Sequence, residues 1–209
     1  MPRSLAMAVM MPISGRFYNT AGPRLLTGTG LLVSAYSFLA LSRLSLDTGY
    51  WDIFWPQVWQ GFGFSLIFIS LTTAALSNIP RPKMTSASGL YNVTRQVFGS
   101  IGIAISASQL TEGTATYRAV LSEHVTAFDA PTRTWLGMVT QGMAGSGADP
   151  LAARQQALSL LDLNILGQAS VMAYNRVFVL VAGLFLLVSP LALLLGTGQG
   201  GSEVKISVE

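Results

Sequence analysis

The residues with the greatest chemical potential in this sequence lie in one stretch, residues 86–109, in which Arg95 is the only charged side chain. The stretch is long enough to cross a bilayer, because a spanning helix needs about 20 residues. A charge at membrane depth costs about 2.5–3.5 kcal/mol on insertion scales, so it usually faces a protein interior or a wet cavity. Arg95 is therefore a candidate for ion pairing or hydrogen bonding inside a membrane. The alternative is that Arg95 snorkels to the cytoplasmic head groups and buries only its stem.

Two stripes run along this predicted helix, because residues spaced by three and four share a face. The polar and small stripe comprises Ser88, Asn92, Arg95, Gln96, Gly99, Gly102 and Ser106, and the apolar stripe comprises Leu90, Val93, Val97, Ile101 and Ile105. Asn92 and Gln96 beside Arg95 favour a polar interior over snorkelling. Gly99, Gly102 and Ser106 would also permit another helix to approach closely.

The preceding apolar stretch places Gln57, Gln60 and Phe64 on one helical face, with Gly61 and Gly63 nearby. Gln60 is a candidate to hydrogen-bond either a partner helix or a substrate. Both readings stay open, since hydrogen bonds between membrane helices are common.

Patterns typical of enzymes are absent from the sequence. With no cysteine and one histidine, His124, the chain offers no thiol nucleophile and no zinc ligand set. The Gly28-Thr29-Gly30 and Gly61-Phe62-Gly63 triplets lack the third glycine of a dinucleotide loop and sit inside apolar runs. The basic residues are scattered singly, which argues against a nucleic-acid interface. We therefore expect no enzyme activity, no metal and no nucleic-acid partner.

The composition indicates the elements that carry these side chains. Of 209 residues, 51% are hydrophobic and 10% are charged, whereas soluble domains have about 25% charged residues. Apolar windows cover residues 25–44, 53–79, 86–110 and a last segment within 174–196, and residues 5–13 make about half a span. We expect an all-α membrane protein with four full transmembrane helices and an N-terminal half-helix.

Charge in the short connections predicts the orientation, because cytoplasmic loops are enriched in Lys and Arg. The basic connections are residues 15–24 and 80–85, whereas the connection 45–52 carries Asp47 and Asp52. The basic connections and a disordered tail, residues 197–209, are therefore expected in the cytoplasm. Tyr50, Trp51, Trp55 and Trp59 are expected to anchor the outer boundary of the membrane.

Residues 111–173 then lie outside the cell as a long loop with amphipathic helices. Helical spacing predicts one helix from Tyr117 to Phe128. Residues 137–150 contain four glycines and are expected to be flexible, and residues 151–172 regain helical character that continues into the last span.

Three segments carry a resemblance to a known family. Gly15-Arg16-Phe-Tyr-Asn19-Thr-Ala-Gly22-Pro23-Arg24 resembles the Gly-Arg-x-x-Asp-x-x-Gly-x-Arg cytoplasmic loop motif of the major facilitator superfamily. Residues 86–102, which include Tyr91, Asn92 and Arg95, are similar to the penultimate helix of its fourteen-helix drug:proton antiporter branch, the EmrB/QacA-like proteins. Residues 172–178 resemble the start of their last helix. The resemblance covers nearly all of this chain but only the C-terminal part of such a transporter.

The resemblance implies proton-coupled multidrug efflux by alternating access, with a substrate site near the midplane between two half-bundles. Asn92, Arg95 and Gln96, with Tyr91 beside them, would line or brace the central cavity, and Gln60 would face it. The energy source would be a proton gradient, with no cofactor. The partners implied are the bilayer of a bacterial inner membrane, an N-terminal half-bundle, a periplasmic adaptor, and a small amphipathic or cationic drug.

Two departures from the family pattern concern charge. Asn19 stands where the loop motif usually has Asp, and Arg176 stands where relatives often have an acidic residue. The chain's nine acidic residues map to loops, helix ends or the tail, so Arg95 is expected to pair with a carboxylate or helix end elsewhere in a larger transporter. Alone, the chain is expected not to transport. The alternative function is an independent four-span membrane subunit whose outer loop docks a partner protein.

Overall fold

The structure, a computed structural model, describes residues 2–77, 79–125, 129–145 and 149–194. These residues form five α-helices, with short 3-10 turns at Arg81–Lys83 and Ser189–Leu194 and no strand among them. The helices are α1 (Pro2–Leu41), α2 (Tyr50–Leu76), α3 (Met84–His124), α4 (Ala130–Gly145) and α5 (Pro150–Val188). The predicted all-α class is confirmed.

Three helical segments of the described chain are long and apolar enough to cross a membrane. They are Ala21–Leu41, Tyr50–Leu76 and Pro150–Ala192. The fourth predicted span, residues 86–110, lies inside α3, which is not one of the three. Its serine, threonine, asparagine and glutamine residues lower its hydropathy, so a fourth crossing stays a prediction.

The chain divides into two compact units. The first holds the described residues of Met1–Ser42, Gly49–Ile103 and Phe178–Glu209, and the second holds those of Arg43–Thr48 and Ala104–Val177. Helices α3 and α5 therefore contribute residues to both units.

Helix α1 consists of two helices that meet at Gly22. Gly22 has φ 76° and ψ 163°, a conformation that glycine adopts readily and residues with a Cβ do not. Pro23 follows as the first residue of the second half, where its missing N–H and fixed φ suit a helix start. The prediction that residues 15–24 form a loop is wrong. Gly15 and Arg16 lie within the first half of α1, because only Gly22 leaves helical geometry.

Small residues bring α1 and α2 together. A Cβ on Gly61 would lie 2.5 Å from the carbonyl oxygen of Arg3, and one on Gly30 would lie 2.9 Å from the carbonyl oxygen of Gly63. A Cβ on Gly63 would in turn collide with the Ser34 hydroxyl. The backbones approach so closely that a larger side chain has no room, as is typical where membrane helices cross.

A group of phenylalanines adds to this contact. The Phe38 ring of α1 lies 6.5 Å from Phe64 of α2, centroid to centroid, and 5.6 Å from Phe185 of α5. Phe64 and Phe185 are themselves 6.0 Å apart and nearly perpendicular. Edge-to-face and offset contacts at such distances are favourable, so three helices of the first unit share one aromatic cluster.

The small residues of α3 have open space beside them. A Cβ added to Gly99 or Gly102 would meet no neighbouring atom within 4 Å. The close approach that these glycines would permit therefore stays a prediction. The close contacts among the described helices are at Gly30, Gly61 and Gly63.

The described residues of the second unit are mostly helical, although a long loop with amphipathic helices was predicted for residues 111–173. Helix α3 continues to His124, while Phe128 lies outside the described residues. Gly137 and Gly142 lie within α4, so the stretch predicted as flexible is helical as far as Gly145, and residues 146–148 lie outside the described residues. Helix α5 runs without a break from Pro150 to Val188, as predicted. The predicted tail, residues 197–209, lies outside the described part of the chain.

Two contacts hold the second unit together. The Asn175 side-chain amide donates a hydrogen bond to the Leu44 carbonyl oxygen over 2.8 Å. Arg118 and Asp162 form an ion pair of 2.7 Å with both side chains about half exposed. An exposed pair of this kind contributes little to stability.

Candidate functional site on α2

One face of α2 carries the polar and aromatic residues of the candidate site. Gln60, Phe64, Phe68 and Thr72 are spaced by four and therefore lie along one side of the helix. Gln60 is buried, with 5% of its surface exposed, and the two phenylalanines are half-buried. The predicted hydrogen bond of Gln60 to a partner helix or to a substrate stays a prediction.

Arg95 lies against this face. Its guanidinium carbon is 5.0 Å from the centroid of the Phe68 ring, within the range of a cation–π contact. One turn away, the Tyr91 hydroxyl and the Thr72 hydroxyl are 3.1 Å apart and hydrogen-bonded. Since numbering falls along α2 as it rises along α3, the two helices pair in opposite directions at these contacts. Arg95 and Tyr91 of α3 thus contact neighbouring positions on the same face of α2.

Arg3 occupies the equivalent position on the neighbouring ring. Its guanidinium carbon is 5.4 Å from the centroid of Phe64. The sequence reasoning missed this residue. A usable signal was present, however, since Arg3 is a charge at the start of an apolar segment, and Phe64 and Phe68 are spaced as one helical face.

Asn92 and Gln96 are exposed on α3. No hydrogen bond or ring contact of their side chains occurs among the residues described. The structure therefore does not bring them to Gln60, and their predicted place in a cavity stays a prediction.

The loop-motif residues lie on α1, at its bend and before it. Gly15 and Arg16 are exposed on the first half of α1, Gly22 is the break, and Pro23 is buried at the start of the second half. Arg24, half-buried, follows Pro23. Their structural role is at the bend of α1.

The electrostatics of the site are one-sided. Arg3 and Arg95 bring two positive charges to adjacent rings of α2, and no carboxylate forms an ion pair with either within the described ranges. A cation–π contact contributes about 0.5–2 kcal/mol, whereas an arginine at membrane depth costs about 2.5–3.5 kcal/mol. The rings therefore offset only part of that cost, and the site lacks an anion.

An open groove lies between α1 and α2. Val58 and Phe62 line it and are each two residues from Gln60, so the groove lies on the side of α2 away from Gln60, Phe64 and Phe68. It has a volume of about 450 Å³ and exposes no polar surface. Leu5 and Val9 of α1 and Trp55, Val58 and Phe62 of α2 line it. Such a groove accepts an apolar chain and offers no partner to a polar one. Nowhere in the described residues do three His, Cys, Asp or Glu side chains gather so as to hold a metal ion.

Comparisons with known proteins place these helices in a family. The Major Facilitator Superfamily profile matches residues 2–103, which include α1, α2 and both arginines of the site. The Multidrug export protein EmrB of Escherichia coli (strain K12) is 30% identical over 207 residues, covering 96% of this chain and 38% of that protein. The Fatty acid resistance protein FarB of Neisseria gonorrhoeae is 25% identical, covering 91% of this chain and 36% of that protein.

A third relative has a similar extent. The Colistin resistance protein EmrB of Acinetobacter baumannii is 26% identical, covering 81% of this chain and 33% of that protein. The chain thus spans less than two-fifths of the length of each of these relatives. With the family match across the helices that carry the site, and the likeness to EmrB proteins over most of its length, the chain belongs to the major facilitator superfamily of membrane transporters.

Proposed function

We propose that this chain forms the C-terminal part of a proton-coupled multidrug efflux transporter that works by alternating access. The observation that carries the proposal is the α2 face on which Gln60, Phe64 and Phe68 meet Arg95 in a member of a transporter family. Polar and charged residues at membrane depth mark substrate or ion pathways in such proteins. The substrates proposed are small amphipathic compounds, and the role is transport rather than catalysis.

The relatives are much longer than this chain, which supports the proposal that the chain is part of a larger transporter. The chain matches 38% of the Multidrug export protein EmrB and 36% of the Fatty acid resistance protein FarB. Alternating access requires two half-bundles that move about a shared site. We propose that an N-terminal half-bundle supplies the other side of the site, that a proton gradient supplies the energy, and that a periplasmic adaptor receives the exported compound.

The proposed charge preference follows from the site. A cationic drug would face Arg3 and Arg95 and would need a carboxylate from outside the described residues. We propose that the N-terminal half-bundle supplies this carboxylate. An uncharged or anionic amphipathic compound would need none.

The location proposed is the bacterial inner membrane, with several crossings and a cytoplasmic C-terminus. The basic connection that includes Arg81 and Lys83 would lie in the cytoplasm, because basic residues stay on that side. The exposed aromatic residues Tyr50, Trp51 and Trp55 at the start of α2 would lie at the opposite surface.

Reconstitution tests the proposed function. The DNA upstream of the Met1 codon is read first, and further apolar spans in frame with this chain are expected. The complete product in proteoliposomes should then export a fluorescent amphipathic dye when a pH gradient is imposed, and this chain alone should not. Arg95→Gln should lower the initial rate about tenfold, as loss of about 1.4 kcal/mol would. Arg133→Gln, an exposed residue of α4, is the matched control.

Two outcomes would contradict the proposal. Gradient-driven efflux by this chain alone would show that no second half-bundle is required. An upstream region with its own stop codon and no apolar spans would instead favour an independent membrane subunit.

A further inference from the structure

We propose that Asn175 of α5 holds the turn between α1 and α2 as a strap that releases reversibly. The turn comprises residues 43–48 and belongs to the second unit, together with the described residues of 104–177. Its release would free the ends of α1 and α2 that it joins to move during transport. This use of the strap rests on the proposed function, whereas the contact between the turn and α5 does not.

The first observation is that two contacts hold the turn on α5. The Asn175 side-chain amide donates a hydrogen bond to the Leu44 carbonyl oxygen over 2.8 Å. A Cβ on Gly167 would lie 3.7 and 3.8 Å from the two methyl carbons of Leu46, so this side chain lies over the glycine. Gly167 and Asn175 are eight residues apart, which is about 12 Å along α5. The turn thus lies across α5 and contacts it at two separate points.

The second observation is that the turn holds its own shape. The Ser45 N–H donates to the Thr48 hydroxyl over 2.7 Å, and the Thr48 N–H donates to the Ser45 carbonyl oxygen over 3.2 Å. The Gly49 N–H donates to the Asp52 carboxylate over 3.1 Å. These bonds lie within the turn and at the start of α2, so they persist when the turn leaves α5. Release therefore costs few contacts.

The third observation indicates that the strap is held weakly enough to release. The Asn175 Oδ1 atom is buried, and none of the described residues donates a hydrogen bond to it. A buried acceptor without a partner costs a free energy of the same order as the hydrogen bond gained by the other end of the amide. Leu46 is also 47% exposed, so its contact with Gly167 buries only part of the side chain. Because the cost offsets much of the gain, the held and released states lie close in free energy.

Proteolysis tests the strap without transport. Trypsin cleaves after arginine and lysine, and Arg43 is an exposed residue of the turn. When reclosing is faster than cleavage, the cleavage rate follows the population of the open form. The full chain is placed in nanodiscs, and the fragment that ends at Arg43 is quantified by mass spectrometry. Asn175→Asp keeps the size of the side chain but removes the donor, so it should speed this cleavage about tenfold.

Further variants act on the second contact. Leu46→Ala removes most of the side chain that lies over Gly167 and should speed cleavage after Arg43 about three- to tenfold. Gly167→Ala instead adds a methyl group in contact with Leu46 and should slow the cleavage about twofold. Opposite effects at one contact are expected of a strap and not of a general loss of stability.

Two controls separate release from unfolding. Cleavage after Lys83, an exposed residue of another turn, should keep its rate in every variant, whereas unfolding would speed cleavage at both places. Asn164→Asp is the matched substitution, because Asn164 is exposed on α5 and its amide donates to the Leu160 carbonyl oxygen of its own helix. It should leave cleavage after Arg43 unchanged. Equal rates of this cleavage in the original chain and in Asn175→Asp would overturn the strap.

A reversible link tests the use of the strap in transport. The chain contains no cysteine, so Leu46→Cys and Gly167→Cys can be joined by a short bismethanethiosulfonate reagent. In the complete product this link should stop the efflux of dye, and reduction should restore it. Efflux at the full rate by the linked product would overturn the role in transport. If the complete product exports no dye before linking, the proposed function fails, and the cleavage rates still decide whether the strap exists.

Discussion

At the scale of single residues, the contact between Ser14 and Ser65 links the two helices that support the site. Their hydroxyl oxygens are 3.0 Å apart and buried. The Ser65 hydroxyl also lies 2.9 Å from the Phe62 carbonyl oxygen, to which it donates within its own helix. Hydrogen bonds between membrane helices contribute on average about 0.6 kcal/mol and reach about 1.7 kcal/mol. The pair is therefore a modest but specific link between α1 and α2.

A double-mutant cycle measures this link. Ser14→Ala and Ser65→Ala should each destabilise the protein, and the coupling free energy between them should be about 0.6 kcal/mol. The measurement is reversible unfolding in bicelles. Thr29→Ala is the control, because Thr29 is exposed and bonds only to carbonyl oxygens of its own helix. A coupling of zero between Ser14 and Ser65 would show that the hydroxyls do not interact in the membrane.

The residues of the site were predictable from the sequence to different degrees. Arg95 was identifiable because it is one charge in a long apolar stretch, and Gln60 because its spacing places it on one face with Phe64. The contact of Arg95 with the Phe68 ring was not predictable. Phe68 lies on another helix, and residue spacing within one helix does not give the distance to a neighbouring helix. Arg3 was missed although it is a charge at the start of an apolar segment; its contact with Phe64, like that of Arg95 with Phe68, joins two helices.

At the scale of elements, glycine and serine positions decide which helices approach closely. Gly30 and Gly63 face each other across α1 and α2, and the Ser34 hydroxyl fills the space beside Gly63. By contrast, Gly99 on α3 has open space where a Cβ would lie. Glycine thus permits close packing at Gly63 on α2, whereas Gly99 on α3 has no such packing role within the first unit.

Substituting these glycines should separate the two cases. Gly63→Leu is expected to force α1 and α2 apart, whereas Gly99→Leu should be tolerated. The chain contains no cysteine, so cysteines placed at Ser14 and Ser65 report the helix contact by forming a disulfide on oxidation. Gly63→Leu should abolish this crosslink and Gly99→Leu should preserve it. Equal crosslinking in both variants would contradict the role assigned to Gly63.

The elements themselves were predicted well where apolar length decided them and less well at their ends. The windows 25–44 and 53–79 correspond to the second half of α1 and to α2. The segment 15–24 was predicted as a loop because it is basic and contains Gly22 and Pro23, but a single residue suffices for the break. Glycines in α4 were taken as flexible, yet a helix tolerates them at a cost of about 1 kcal/mol each.

At the scale of the whole molecule, the open question is how many times the chain crosses the bilayer. The described residues contain three sufficiently apolar helices, and α3 is not among them. Yet α3 carries Arg95 to the face of α2, which is itself one of the three. A helix with a polar stripe crosses a membrane when other helices cover that stripe, and we propose that the N-terminal half-bundle covers the part that α2 leaves exposed. We therefore expect α3 to cross.

Reporter fusions test this crossing. Fusions after Lys83 and after Gly145 lie before α3 and after α4, so a crossing by α3 places them on opposite sides of the membrane. Alkaline phosphatase should be active only after Gly145, and green fluorescent protein should be bright only after Lys83. The same compartment for both positions would show that α3 does not span. A fusion after Leu44 serves as the external control.

The bend at Gly22 has a mechanical consequence for the site. Arg3 lies 19 residues before Gly22, or about 28 Å along the helix at about 1.5 Å per residue. The first half of α1 is thus a lever whose pivot is one residue, and a rotation of about 10° at the pivot moves the far end by about 5 Å. That is enough to part Arg3 from Phe64 once the contacts of the first half at Gly61 and Ser65 are released, while the second half, packed at Gly30, stays in place. A small turn of one glycine would then change the charge that α2 presents.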